Sequence, residues 1–201
     1  MTGTAYCFDL DGTLTSLEIL PCIAAELGVA DEIATLTRLT MDGIVPFEDS
    51  MRLRTLILGQ IPIERIHAII SAIPLNHSLL EFIREHHDRC FIVTGNIDLW
   101  INPLLCELGC RSFCSHAGFV DNILRLSSVL SKGYAIEQIR NPGKFDKIVA
   151  VGDGSNDVSM LNAADIGIAY SGVHDAAASA IEASNLIVYE AETLCNLLKE
   201  L

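Results

Sequence analysis

Short apolar runs alternate with helix-spaced segments along this chain, and one long helical stretch interrupts the alternation. Ala5 to Asp9, Cys90 to Val93, Ile148 to Val151, Ile166 to Ala169 and Leu186 to Val188 each have the length and composition of a buried strand. Strands separated by helices pair in parallel through crossover connections. From about residue 15 to 75 the pattern changes. Ile19, Ile23 and Leu27 share a helix face that Gly28 stops. Ile33, Leu36, Leu39 and Thr40 form a second run ending near Gly43, and Phe47, Met51, Leu53, Leu56 and Leu58 a third ending at Gly59. Pro62 opens a fourth through Ile66, Ile69, Ile70 and Ile73, and Pro74 closes it. A fifth helix is expected from about 76 to 86. The pattern predicts an α/β fold with a mostly parallel sheet flanked by helices. A helical unit over 15–75 is inserted into a core made of 1–14 and 76–201.

At 201 residues the chain is long enough for one good core, or a core with a small accessory unit. Mean hydropathy is +0.39, a globular value rather than a disordered one. No apolar run reaches the roughly 18 residues of a membrane span, and no basic-then-apolar leader opens the chain. Seven cysteines, an odd number, argue against a disulfide framework. The expectation is a soluble cytoplasmic protein with reduced thiols, no targeting segment and no membrane partner. A net charge of −13 also makes nucleic acid a poor partner. Any anionic substrate must therefore be met by a local positive cluster.

Ligands of open parallel sheets bind outside the carboxyl ends of the strands. Asp9 and Asp11 lie there after the first strand. Thr94, Gly95 and Asn96 follow the strand Cys90–Val93, and Asp153, Asn156 and Asp157 follow Ile148–Val151. Three strands thus end in polar, turn-forming residues that can converge. Asp9 and Asp11 are spaced i and i+2, which puts both on one face of an extended segment. Four carboxylates cannot share a small pocket in ionised form without positive charge. A hard divalent cation with oxygen ligands is the natural remedy, and Mg²⁺ commonly keeps waters and substrate phosphate as its remaining ligands.

The segments "DLDGT" at 9–13, "VTG" at 93–95, Lys132 and "GDGSND" at 152–157 resemble, in order, the four motifs of the haloacid dehalogenase superfamily. The helical insertion right after the first motif is similar to the cap of its phosphoserine phosphatase group. The resemblance covers the whole chain and implies a Rossmann-like core with a helical cap. It implies a Mg²⁺-dependent phosphomonoester hydrolase of the serine-forming kind, acting on a small molecule; the sequence leaves monomer or homodimer open. By the same resemblance Asp9 is the nucleophile and Asp11 the acid and base. The metal is held by the carboxylates of Asp9 and Asp153 and the backbone carbonyl of Asp11, with Asp157 supporting it. Thr94 and the Gly95 N–H hold phosphate oxygens, Lys132 neutralises the transferring group, and Asn156 contacts the phosphate or the attacking water. In the cap, Glu18 meets a substrate ammonium and Arg54 a substrate carboxylate, while Met41 and Phe47 close the site. Two positions depart from the group: Thr94-Gly95-Asn96 stands where it usually has Ser-Gly-Gly, and Gly12 where many members have serine.

Other readings compete at several positions. Lys144 and Lys147 rival Lys132, and Arg52 rivals Arg54. Cys106, Cys110, Cys114 and His116 invite a zinc site but lack paired Cys-x₂-Cys knuckles, so buried thiols are expected there. His86 and His87 are expected at a helix end, and the segment from 118 as a hairpin turning at Asp121-Asn122. A phosphatase or phosphotransferase for phosphothreonine, phosphoethanolamine or a sugar phosphate is the alternative within the enzyme class. Outside it, a receiver-type phospho-acceptor also gathers acids at strand ends, but it lacks the Asp-x-Asp-Gly-Thr pair and the long helical insertion.

Overall fold

The computed structural model describes residues 3–41, 44–140 and 144–201, and the Met41 side chain lies outside the described part. Seven strands form one sheet in the order β4-β3-β2-β1-β5-β6-β7. They are β1 (Gly3–Phe8), β2 (Cys90–Ile97), β3 (Arg111–Val120), β4 (Ile123–Ser128), β5 (Phe145–Gly152), β6 (Ile166–Tyr170) and β7 (Leu186–Val188). All neighbours are parallel except β3 and β4, which form a hairpin. Asp121 and Asn122 turn it with φ of 52° and 61°, the left-handed region that Asn and Asp tolerate best after glycine.

Burial on both faces explains the unbroken apolar strands. In β1, Tyr6 and Phe8 enter one core layer while Ala5 and Cys7 enter the other. In β2, Cys90 and Ile92 alternate with Phe91 and Val93 in the same way, and in β5, Val149 and Val151 alternate with Ile148 and Ala150. Helices α5 (His77–Glu85), α6 (Asp98–Leu108) and α10 (Ala191–Glu200) supply the first layer. The second is covered by α7 (Lys132–Ile139), α8 (Val158–Ala163) and α9 (Ala178–Ala183).

Between β1 and α5 the chain forms α1 (Ile19–Ala24), α2 (Ala30–Met41), α3 (Phe47–Leu58) and α4 (Ile63–Ile70). This block rests on the core where α4 meets α6 and α3 meets β4. Its two connections run side by side. Thr15 and Leu75 form an antiparallel bridge, the Ser16 N–H donates to Pro74 O at 3.0 Å, and the Asn76 N–H donates to Leu14 O at 2.8 Å.

Several boundaries differ from the sequence expectation. The first helix ends at Ala24 and tightens into a 3-10 turn, Ala25–Leu27, before Gly28. The fourth ends at Ile70, three residues before Ile73, which is buried but not helical. Thr94, Gly95 and Asn96 lie within β2 rather than after it, where the register against β3 shifts between Val93 and Ile97. All seven cysteines are free thiols, and Cys114 lies in β3. Among the described residues no helix is long and apolar enough to cross a membrane.

Candidate active site

The sheet order reverses at β1, with β2 on one side and β5 on the other. The crevice at their carboxyl ends is where such sheets bind ligands. Asp9 follows β1 at once and is buried; Asp153 follows β5 and is buried too. Gly12 turns the chain with φ +75°, and a Cβ there would meet Asp153 Oδ2 at 2.9 Å. The close approach of the two acidic loops therefore needs glycine.

Lys132 opens α7, which Ser131 caps by accepting the Tyr134 N–H at 3.4 Å. Its ammonium reaches Asp9 Oδ1 at 2.6 Å and Asp157 Oδ1 at 2.5 Å. Burial alone would lower the Lys132 pKa, but Asp157 and Asp9 outweigh it and raise it, so the ammonium stays charged. Lys147 is elsewhere, donating to Leu201 O, and Lys144 stands over the Phe145 ring. The second oxygen of Asp157, Oδ2, accepts the backbone N–H groups of Asp153 at 3.0 Å and Gly154 at 2.8 Å. Asp157 is thus committed to the loop and the lysine, and it acts by holding Asp153 in place. Thr13 completes that loop by donating to Asp153 Oδ1 at 2.7 Å.

Negative charge nevertheless exceeds what these partners offset. Burial and the neighbouring Asp157 push Asp9 up to about 7 despite Lys132. Burial, then Asp157 and Asp9, raise Asp153 well above the carboxylate range. Burial and Glu18 do the same to Asp11, whose Oδ1 accepts the Ile19 N–H at 2.8 Å. One oxygen from each of Asp9, Asp153 and Asp157 lies within 4.8 Å of the other two, an all-oxygen set that suits a hard cation.

Beside the aspartates, the Thr94 hydroxyl accepts two hydrogen bonds from Asn96, from its backbone N–H at 3.1 Å and from Nδ2 at 3.3 Å. Its own proton is then left to donate to a further acceptor. Gly95 sits under the Phe47 ring, where a Cβ would come within 2.5 Å of Cζ. These residues line a cavity of about 80 Å³ between the core and the helical block, together with Ser155, Asn156 and Gly154.

The far wall of the cavity comes from the helical block and the residue that leads into it. Glu18, Leu20, Thr37, Thr40, Phe47, Met51 and Arg54 line it. Arg54 is 4% exposed and donates through Nη2 to Thr37 Oγ1 at 3.1 Å. Its Nε is buried with no hydrogen-bond partner among the described residues. Burial lowers its pKa from the usual arginine value, opposed by Asp11 and Glu18. Arg52, the rival in sequence, faces outward and pairs with Glu48 one helical turn away at 2.8 Å.

Sequence reasoning missed His174, on the loop after β6. Its Nε2 stands 3.3 Å from both Glu18 Oε1 and Asp153 Oδ2, and its Nδ1 faces Asp175 O at 3.1 Å. A carbonyl on one side and carboxylates on the other require a proton on both ring nitrogens. Accordingly Glu18 in the first place, against the effect of burial, pushes His174 up to about 9. The available signal was positional: His174 follows a fourth strand, β6, on the same edge of the sheet.

A family model described as haloacid dehalogenase-like hydrolase matches residues 7–162. The phosphoserine phosphatase of Methanocaldococcus jannaschii is 32% identical over 175 residues, 81% of this chain and 83% of that protein. A solved substrate-bound phosphoserine phosphatase complex aligns at a TM-score of 0.84 and 28% identity, covering 100% of this chain and 99% of that one. A phospho-aspartyl intermediate analogue of phosphoserine phosphatase aligns at 0.83 and 26% identity, covering 100% of both chains. The chain belongs to the haloacid dehalogenase-like hydrolases.

Proposed function

We propose that this hydrolase removes phosphate from O-phosphoserine, yielding serine and inorganic phosphate. The observation that carries the substrate is the polarity of the cavity. One end holds Asp9, Asp11, Asp153 and Thr94, with Lys132 paired to Asp9 behind them; the other holds Glu18 and a buried guanidinium whose Nε has no partner among the described residues. A buried unpartnered donor is unfavourable by about 1–3 kcal/mol and more on a charged group, so the site is complete only with an acceptor there. A substrate with a phosphate at one end and a carboxylate and ammonium at the other satisfies every group. The relatives named above support the same chemistry.

In this reading Asp9 attacks phosphorus, forming an aspartyl-phosphate as the ester P–O bond breaks. Asp11, whose carboxyl burial and Glu18 push up in pKa, gives its proton to the departing serine oxygen. Its carboxylate then takes a proton from the water that attacks the acyl phosphate, and inorganic phosphate leaves with Asp9 restored. Thr94, the Gly95 N–H and Lys132 hold the transferring oxygens, with Asn156 in the cavity lining beside them. Arg54 takes the substrate carboxylate and Glu18 its ammonium. The segment 15–75 acts as a cap that excludes water while the phosphoryl group is transferred, with Phe47 against Gly95 as part of the closure.

Asp9, Asp153 and the backbone carbonyl of Asp11 would hold a Mg²⁺ ion, and Asp157 would steady Asp153 behind it. The excess of carboxylates over cations is what supports this assignment. When bound, the ion supplies charge neutralisation between Asp9 and the phosphate. The free thiols support a reducing, cytoplasmic setting.

The test is phosphate release from O-phospho-L-serine beside phosphothreonine, phosphoethanolamine, a sugar phosphate and p-nitrophenyl phosphate, with and without EDTA. Phosphoserine should lead in kcat/KM by about 100-fold, or roughly 2.7 kcal/mol, and EDTA should abolish release until Mg²⁺ is restored. Another ester in the lead would leave the phosphatase chemistry standing and remove the serine assignment.

A further inference from the structure

Glu18 is the carboxylate assigned above to the substrate ammonium, yet its own anchoring within the helical block is slight. It precedes α1, its side chain is 42% exposed, and no hydrogen bond from α1 to α4 restrains it among the described contacts. The contact it does make comes from the core. From the loop 171–177 His174 Nε2 stands at ion-pair distance, 3.3 Å, from Glu18 Oε1 and Asp153 Oδ2, without hydrogen-bond geometry to either, and that loop is itself tied down. The Ser171 N–H donates to Val188 O at 2.8 Å, the Ala176 N–H to Ser171 Oγ at 3.0 Å, and the Ala177 N–H to Asp153 O at 2.8 Å. The imidazole therefore stands on a fixed platform that also carries the acidic loop.

Gly12 makes the placement possible. A Cβ at position 12 would lie 2.7 Å from His174 Nε2, closer than a carbon and a nitrogen pack. The glycine of the first motif and the histidine of a distant loop are thus one arrangement: the ring occupies the volume that a side chain at position 12 would take.

We infer that His174 is a positioning residue for substrate selection, holding Glu18 in the cavity wall and coupling it to the Asp153 loop. The inference rests on the phosphoserine reading. A flexible glutamate that must be ordered on binding weakens affinity by about 3- to 10-fold, and one ordered beforehand does not. His174 supplies that order from the side opposite the helices.

Kinetics of His174→Asn, Glu18→Gln and the double variant test this, with O-phospho-L-serine and with p-nitrophenyl phosphate, which has no ammonium. His174→Asn should raise KM for phosphoserine by about 3- to 10-fold and leave its kcat, and turnover of p-nitrophenyl phosphate, within about twofold. Retained turnover of the second substrate also reports an intact fold. In the Glu18→Gln background the same substitution should add nothing, as expected of a residue that acts through another. His174→Gln, which keeps an N–H for Glu18, should recover part of the loss. Additive effects, a lowered KM, or equal losses on both substrates would overturn the role. Wild-type enzyme that does not prefer phosphoserine would remove the substrate reading and this role with it. A preference that stands while the cycle is additive would remove this role alone.

Discussion

The two ends of the cavity are built differently. At the sheet end, charge is held by groups the backbone fixes: Asp157 accepts two main-chain N–H groups, Asp153 accepts Thr13, and Lys132 bridges Asp9 and Asp157. At the helical end Arg54 has one neutral hydroxyl partner, and Glu18 is half exposed against a ring from another part of the chain. The first arrangement is nearly complete without a ligand, apart from its excess negative charge. The second is incomplete until something acidic arrives. On the proposed function chemistry and selection are separable by position, and substitutions at the two ends should differ in kind.

Asp9→Asn gives the largest expected effect. Turnover should fall by at least about a thousandfold on phosphoserine and p-nitrophenyl phosphate alike, with thermal melting that still shows a folded chain. Comparable activity in the variant would sink the nucleophile assignment and with it the separation of the two ends. Arg54→Ala should act at the helical end only. KM for phosphoserine should rise by about 100-fold, and p-nitrophenyl phosphate should change by a few fold at most. If both substrates lose equally, Arg54 holds the helices together rather than the ligand. Gly95→Ala lies on the contact between the two ends and should be the mildest. Its Cβ would displace the Phe47 ring, raising KM for both substrates by about tenfold, and Phe47→Leu in the same chain should recover part of that. An effect confined to phosphoserine would mean that Phe47 belongs to selection and not to closure.

Much of this was readable in the residues. The alternation of both-face-buried strands with helices marked the sheet, and the run of helices before residue 75 marked the inserted block. The boundaries were less readable. Ile70 to Ile73 keep an apolar, helix-like spacing, yet the helix ends at Ile70 because the chain must turn back to lie beside Thr15. Thr94 to Asn96 read as a loop because polar residues and glycine follow an apolar run; a register shift lets β2 carry them as strand. Lys132 and its rivals look alike in sequence, and so do Arg52 and Arg54. One position on a helix face decides whether a guanidinium enters a cavity or pairs with Glu48 in solvent.

By itself the sequence determined the fold class and the acidic centre. Unbroken apolar strands separated by helices bury both faces inside a helix-covered parallel sheet, and carboxylates that directly follow such strands gather at one edge. Tertiary structure alone showed how distant side chains reach that centre: the resemblance named Lys132, but nothing in the sequence singled out His174. Lys132 meets Asp9 across 123 positions of sequence, and His174 meets Glu18 from a different strand's loop. Such meetings depend on the path of the crossovers and the rotation of each helix, which packing over the whole core sets and no local pattern encodes.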